Sequence, residues 1–423
     1  MVYNQLYEYL LENNLLTKHQ SGFRPLHSTV TALLDVTNDW YINMDKGMTN
    51  MVVFLDLAKA FDTVSHSILL RKLELYGVRG TSLNWFTSYV SNRQQQCIVG
   101  SSTSQSERVW CGVPQGSILG PLLFLLYIND LPTCLLHTKP HMYADDTILS
   151  AASTSTSELE NKLNNDLFSV RKWLLANKLS LNVAKTEYML IGSHFRLSNL
   201  GKPHSIVIGD KKITRVKHTA YLGVHLDESL KWDEHINQLC SKISRAISGL
   251  RQARDFVSTD VLKMIYNALI QPHFDYCDAV WGNLSSGLAA RSQRLQNRAA
   301  RIITAQGYDV RSAHILNELN WDVLATRRDK RLSLLMYDAI NHNVPEYISE
   351  LFPPMSTSNP YKTRLRESSL KIDITHIPKT DHYKNSFSYR GATHWNSLPV
   401  DMKSSVSKAN LKRKLSRGCQ TAV

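Results

Sequence analysis

Tyr143-Ala144-Asp145-Asp146 sets two adjacent carboxylates between strand-forming residues, Met142-Tyr143 before and Thr147-Ile148-Leu149 after. The pattern predicts a hairpin whose tip carries both acids. Neighbouring carboxylates repel each other unless a cation neutralises them, so the pair suits hard-oxygen ligation of Mg²⁺ or Mn²⁺. An isolated Asp-Asp is most often an ordinary solvated turn. Two further features raise it above that reading. One is an acidic strand end upstream, Met51-Val52-Val53-Phe54-Leu55-Asp56. The other is the turn Cys111-Gly112-Val113-Pro114-Gln115-Gly116-Ser117 lying between the two.

Outward from these acids, apolar spacing sets the element order. Ser28 to Trp40 predicts a helix, and His66 to Tyr76 a second one with Leu69, Leu70 and Leu73 on one face and Gly77 as its stop. Ile118 to Ile128 is an apolar helix, and Leu159, Leu163, Leu167, Val170 and Leu174 recur every three or four residues as an amphipathic one. Strands are expected on either side of the loop Gly192 to Ser205, and again at Tyr221 to Leu226; from Trp232 the pattern turns helical. Arg291, Arg294, Arg298 and Arg301 share one helical face, which suits either solvent or a phosphate backbone.

With 423 residues, 43% hydrophobic, the chain can bury a sizeable core and is expected to hold two or three domains. The net charge of +13 suits a polyanionic partner, and its distribution is uneven. From Tyr361 to Val423 there are 13 Lys/Arg against 4 Asp/Glu, so +9 of the total lies beyond the proline-rich stretch Phe352 to Pro360. Cys97, Cys111, Cys134, Cys240, Cys277 and Cys419 form no Cys-x-x-Cys pair and read as reduced thiols. The start Met1-Val2-Tyr3-Asn4-Gln5 has no secretory pattern, and the uncharged run from Val109 to Asn129 is broken by Pro114, Gly116, Gly120 and Pro121. The expectation is an intracellular protein of nucleus or cytoplasm, not secreted and with no membrane partner.

Six segments in a fixed order carry a resemblance that spacing alone does not supply. They are His19-Gln20-Ser21-Gly22-Phe23-Arg24-Pro25; Phe54-Leu55-Asp56-Leu57 with Lys59-Ala60-Phe61-Asp62; Gly112 to Ser117; Tyr143 to Asp146; Leu181-Asn182 with Lys185-Thr186; and Tyr221-Leu222-Gly223. Together with Phe387-Ser388-Tyr389 to Trp395-Asn396-Ser397-Leu398-Pro399, the series resembles the reverse transcriptase of non-LTR (LINE-type) retrotransposons, close to the jockey and chicken-repeat-1 groups. The resemblance implies an α+β right-hand polymerase. Its parts would be partial fingers (1–50), an antiparallel palm sheet flanked by helices (51–230, completing a reverse transcriptase domain 1–230), a helical thumb (231–350), and a linker with a basic C-terminal segment (351–423). The chain is then expected to be an N-terminally truncated piece of a longer element, without the upstream endonuclease and early fingers.

The resemblance also implies roles. Asp56, Asp145 and Asp146 would be the catalytic carboxylates, holding Mg²⁺ or Mn²⁺ with the Leu57 carbonyl. Phe61 would lie beneath the deoxyribose, against a ribose 2′-hydroxyl, and Asp62 would cap the following helix. Gln115 and Gly116 would touch the incoming nucleotide and template. Arg24 would grip the triphosphate, which a two-pronged guanidinium suits. Lys185 would protonate the leaving pyrophosphate, and Tyr221, Leu222 and Gly223 would form the primer grip. The implied function is RNA-directed DNA polymerisation: deoxynucleotides added to a DNA primer on an RNA template, with the hybrid held by the thumb and the basic segment. The alternatives are an inert nucleic-acid-binding remnant and a metal-dependent nuclease or phosphatase. The last explains neither Phe61 nor the Pro114-Gln115-Gly116 turn.

Overall fold

Met51, Val52 and Val53 are buried on both faces of the strand Thr49–Leu55, which is why that stretch reads as an unbroken apolar run. In the computed structural model, which describes residues 1–199, 204–354, 370–374 and 376–417, this strand is the middle of a five-stranded sheet. The order across the sheet is Thr214–Arg215, Glu187–Ile191, Thr49–Leu55, Asp146–Ser153, Lys139–Tyr143. Pairing is antiparallel except at the short outer strand Thr214–Arg215, which runs parallel to its neighbour. The fold is mixed helix and sheet.

The chain divides into two units, one of Met1–Ser28 with Met48–Val216 and the other of Thr29–Gly47 with Lys217–Val423. The first contains the sheet. Its helix Thr156–Ala176 buries Leu159, Leu163, Leu167, Val170 and Leu174 to 4% exposure or less, so the whole apolar face expected from the spacing enters the core. Each such side chain contributes about 1.5–3 kcal/mol. Ser155 caps that helix, its Oγ accepting from the Glu158 N–H at 3.4 Å. Leu119–Ile128 is buried at every position but Pro121, the reason it is apolar all round. Among the described residues no helix is long and apolar enough to cross a membrane.

The second unit is helical, with long elements at Thr29–Asp45, Asp233–Ala253, Ser286–Thr304 and Leu324–Ile340, and Trp40, Trp232 and Trp281 fully buried. Two features differ from the expected four-part division. Thr29–Asp45 belongs here and not with the residues on either side of it. The C-terminal part is also built into this unit, not appended to it: Phe387, Trp395 and Leu411 are buried. Asp45, its side chain fully buried, accepts hydrogen bonds from His376 Nε2 (2.9 Å), Thr380 N (2.7 Å) and Thr380 Oγ1 (2.8 Å). Counting charge beyond Tyr361 hides these interleaved apolar residues. Much of the expected linker, from Met355 on, lies outside the described residues.

Candidate active site

The strands Lys139–Tyr143 and Asp146–Ser153 pair through Tyr143↔Asp146, leaving Ala144 and Asp145 as a two-residue turn. Ala144 has φ 54°, a left-handed conformation that costs any residue with a Cβ and is held here by the surrounding contacts. On the other side, Asp146–Ser153 pairs with the central strand in the register Leu55↔Thr147. Asp56 follows directly on the last paired residue of one strand, Leu55, and Asp146 directly precedes its partner Thr147 on the other. The crowding of protein around Asp146, followed by the charges of Asp145 and Asp56, pushes its carboxyl up to about 6, although the side chain keeps access to solvent. Three carboxylates drawn from two places in the chain therefore feel one another.

The backbone of Asp56 is fixed from the opposite side. Its N–H donates to Thr186 Oγ1 (3.4 Å), and its carbonyl accepts from the Asn182 N–H (2.8 Å). Ala58 N donates to the Ser180 carbonyl (2.8 Å), which completes a bridge between Leu57 and Leu181. In that antiparallel pattern the N–H and C=O of Leu57 itself face away from Leu181, leaving the carbonyl free of this pairing. Thr186 is buried, and Lys185, in the same turn, is exposed. Thr186 and Asn182 thus hold Asp56, a task that their place in the matched segment signals only in retrospect.

A second clamp acts on the hairpin. Gln20, 3% exposed, accepts at Oε1 from the N–H groups of Gly22 (2.7 Å) and Ala144 (2.8 Å), and donates from Nε2 to the Ala144 carbonyl (3.2 Å). Ser21 N donates to the Met142 carbonyl and Met142 N to the His19 carbonyl, so this segment lies along the edge strand. Gly22 is obligatory by space: a Cβ there would lie 2.2 Å from Ala144 N. The segment from His19 to Pro25 and the acidic hairpin are therefore one assembly. Sequence reasoning assigned Gln20 no part.

The turn after Cys111 docks on the residues that follow Asp56. Gly112 N donates to the Val64 carbonyl (2.7 Å) and Val113 N to the Phe61 carbonyl (2.9 Å). Gly112 has φ 91°, and a Cβ there would lie 2.9 Å from the Asp62 carbonyl oxygen. Gln115 and Gly116 are exposed, and Gln115 Nε2 donates to Asp62 Oδ1 (2.9 Å). This corrects the expectation for Asp62. It caps no helix; Ser65 is the cap residue of His66–Leu75, and Asp62 orients Gln115 instead. Phe61 is half-buried, its ring stacked on buried Phe124 at 4.2 Å and met edge-on by Phe23 at 6.2 Å.

Arg24 also departs from what the resemblance implies. Its Nη1 donates to the carbonyls of Thr17 (2.9 Å) and Gln20 (3.2 Å), and its Nε is buried. A guanidinium turned inward in this way does not present its two-pronged edge to a phosphate.

The second unit contains two further features. Tyr221↔Val224 closes a hairpin whose turn residues, Leu222 (φ 46°) and Gly223 (φ 75°), are both left-handed, and the Leu222 carbonyl accepts from Tyr276 Oη at 2.8 Å. Arg291, Arg294, Arg298 and Arg301 line one groove of about 630 Å³ with Asn237 and Ser241 opposite. The expected one-face stripe is thus a concave basic surface.

The donor chemistry at Asp56, Asp145 and Asp146 fits a hard divalent cation: all three offer carboxylate oxygens, and Asp146, raised first by burial, is raised further by the charges of the other two. Among the described residues, however, no group of three or more His, Cys, Asp or Glu side chains is arranged to hold a metal ion.

Residues 1–226 match the reverse transcriptase (RNA-dependent DNA polymerase) family, and the chain belongs to it. Over 341 residues it is 30% identical to the probable RNA-directed DNA polymerase from transposon BS of Drosophila melanogaster, covering 76% of this chain and 36% of the relative. Over 330 residues it is 26% identical to the RNA-directed DNA polymerase from mobile element jockey of Drosophila funebris, covering 74% and 35%. These relatives place the chain in the LINE-type, non-LTR retrotransposon branch; it spans about a third of their length. Among solved structures, apo telomerase from Candida tropicalis aligns with a TM-score of 0.43 at 11% identity, covering 82% of this chain and 55% of that one.

Proposed function

We propose that this chain carries the polymerising centre of an RNA-directed DNA polymerase, adding deoxynucleotides to a DNA primer 3′-hydroxyl on an RNA template. One observation supports the reading: in a chain of this family, the strand that leads into Asp56 pairs with the strand that follows the Asp145-Asp146 hairpin. The sheet is the palm, the helices after Trp232 the thumb, and the residues before Met48 part of the fingers.

Asp56, Asp145 and Asp146, with the Leu57 carbonyl, would hold Mg²⁺ or Mn²⁺; when bound, these cations activate the primer hydroxyl and stabilise the leaving oxygen. Phe61, fixed by Phe124 and Phe23, sets the floor under the sugar and excludes a 2′-hydroxyl. Gln115, oriented by Asp62, and Gly116 meet the nascent base pair. Lys185 supplies a proton to pyrophosphate. Tyr221, Leu222 and Gly223 steady the primer through backbone shape. Arg291, Arg294, Arg298 and Arg301, with the basic C-terminal residues, hold the RNA:DNA hybrid by its phosphates. Arg24 is assigned to bracing the Gln20 segment, in place of the triphosphate contact.

The test is extension of a DNA primer on an RNA template by the purified chain with Mg²⁺ and deoxynucleotides, beside Asp145→Asn. Extension by the wild type and its loss in the variant support the reading. A second reading, nucleic-acid binding without turnover, is favoured by the arginine-lined groove of Arg291, Arg294, Arg298 and Arg301, which would hold a hybrid whether or not the aspartates act. It predicts hybrid binding with no extension by either protein.

A further inference from the structure

A groove of about 700 Å³ runs beside the Gly112 turn; Gln115 borders it, but its basic and aromatic lining has no role yet. Lys59, Arg93 and Arg108 line it with Trp110, and the carboxylate of Asp62, which also reaches it, is engaged by Gln115. Its outer wall is a two-stranded arm in which Gln94–Gln95 pairs with Glu107–Arg108 and Ile98–Val99 with Ser102–Thr103. Every residue from Asn92 to Arg108 is exposed. A ribbon bare on both faces has no core of its own, so packing does not explain its side chains.

Trp110 is 74% exposed, a large apolar area to leave in water, and the Arg108 guanidinium lies over its ring at 4.9 Å. Arg108 is itself held, donating from Nη2 to Asn92 Oδ1 at 2.9 Å. Three cations against one engaged carboxylate select a polyanion over an acid-poor protein surface. A largely exposed indole, with a cation over one face, suits an unpaired base stacked on the ring with its phosphates on the basic rim. A duplex hides its base faces, so the strand must be single.

We propose that this groove binds single-stranded RNA, one base stacking on Trp110 while Arg93 and Lys59 take the adjacent phosphates. It rests on the polymerase reading only for the identity of the strand, which is then the template not yet copied.

The test compares two labelled primer–template hybrids, one blunt and one with a single-stranded RNA overhang at the template 5′ end, by fluorescence anisotropy with the full chain at fixed salt. The overhang should tighten wild-type binding by about tenfold, the size of one base–aromatic stack. Trp110→Ala should lose that advantage with blunt-hybrid affinity and melting temperature unchanged, and Trp110→Phe should keep most of it. Arg93→Ala should reduce the salt slope for the overhang hybrid by about one. No overhang advantage in the wild type, an equal advantage in Trp110→Ala, or an equal loss on both hybrids would overturn the proposal; the last assigns Trp110 to protein contacts. Asp145→Asn should bind like the wild type without extending. A wild type that shows the overhang advantage but never extends rejects the polymerase reading and leaves this one standing.

Discussion

The side-chain amide of Gln20 bonds both backbone polar groups of Ala144, 124 residues away, and so holds the residue immediately before Asp145. Because all of these groups are buried, no water replaces the amide when it is removed. Gln20→Met, similar in shape but without hydrogen bonds, should lower the maximal extension rate by about tenfold, the effect of roughly 1.4 kcal/mol of misplacement. The KM for deoxynucleotide should stay within about twofold, because binding groups remain in place. Steady-state kinetics separate the two; a raised KM at unchanged rate would assign Gln20 to substrate contact.

Asp146 sets the pH response. Its carboxyl, raised to about 6 by its surroundings and by the charges of Asp145 and Asp56, is ionised above that value and protonated below it. Only the ionised form ligates a cation, so extension should fall as pH drops through this region. Asp56→Asn removes one like charge and should lower the Asp146 titration point. Carboxyl ¹³C NMR of the metal-free protein reads both values, and an unmoved titration would mean the two groups do not interact.

Phe61 is positioned by contacts on two sides, Phe124 at 4.2 Å and Phe23 at 6.2 Å. Phe61→Val should open the floor of the sugar site and raise ribonucleotide use relative to deoxynucleotide by at least about tenfold in kcat/KM. Competition between the two nucleotides in one extension reaction measures the ratio.

Asp45 governs stability in the second unit. Burial alone would raise its carboxyl, but hydrogen bonds from His376, Thr380 and backbone N–H groups outweigh burial and hold it below its ordinary value. A folded value below the unfolded one means that its stabilising contribution is present above the unfolded value and is lost as pH falls through the folded one. Asp45→Ala leaves several buried donors without an acceptor and should cost about 3 kcal/mol or more. Denaturant titration at neutral pH measures the loss, and acid titration should show less pH dependence in the variant.

What was legible in the residues was what local spacing carries. The Leu159, Leu163, Leu167, Val170 and Leu174 face and the apolar strand Met51 to Leu55 depend on neighbours a few positions away, and both stand as expected; the acidic hairpin is also present, but its two-residue turn is Ala144-Asp145, and Asp146 opens the following strand instead of sharing the tip. Contacts made across the chain were not legible. Gln20 to Ala144, Asp62 to Gln115 and Asp45 to Thr380 join residues 124, 53 and 335 positions apart, and no periodicity encodes such pairs. Arg24 shows a different limit: its residue type suits phosphate, but carbonyls only seven and four positions away, at Thr17 and Gln20, engage its Nη1, and no periodicity marks such loop contacts.

Asp56 and Asp145 are expected to act as a single unit. Single-turnover extension by one nucleotide, in Mg²⁺, should fall by about 10³-fold or more in Asp56→Asn and in Asp145→Asn, and the double variant should be no slower than either single one, since groups that act together are not additive. Losses that multiply in the double variant, or a single variant that keeps the wild-type rate, would mean that the two carboxylates do not act together.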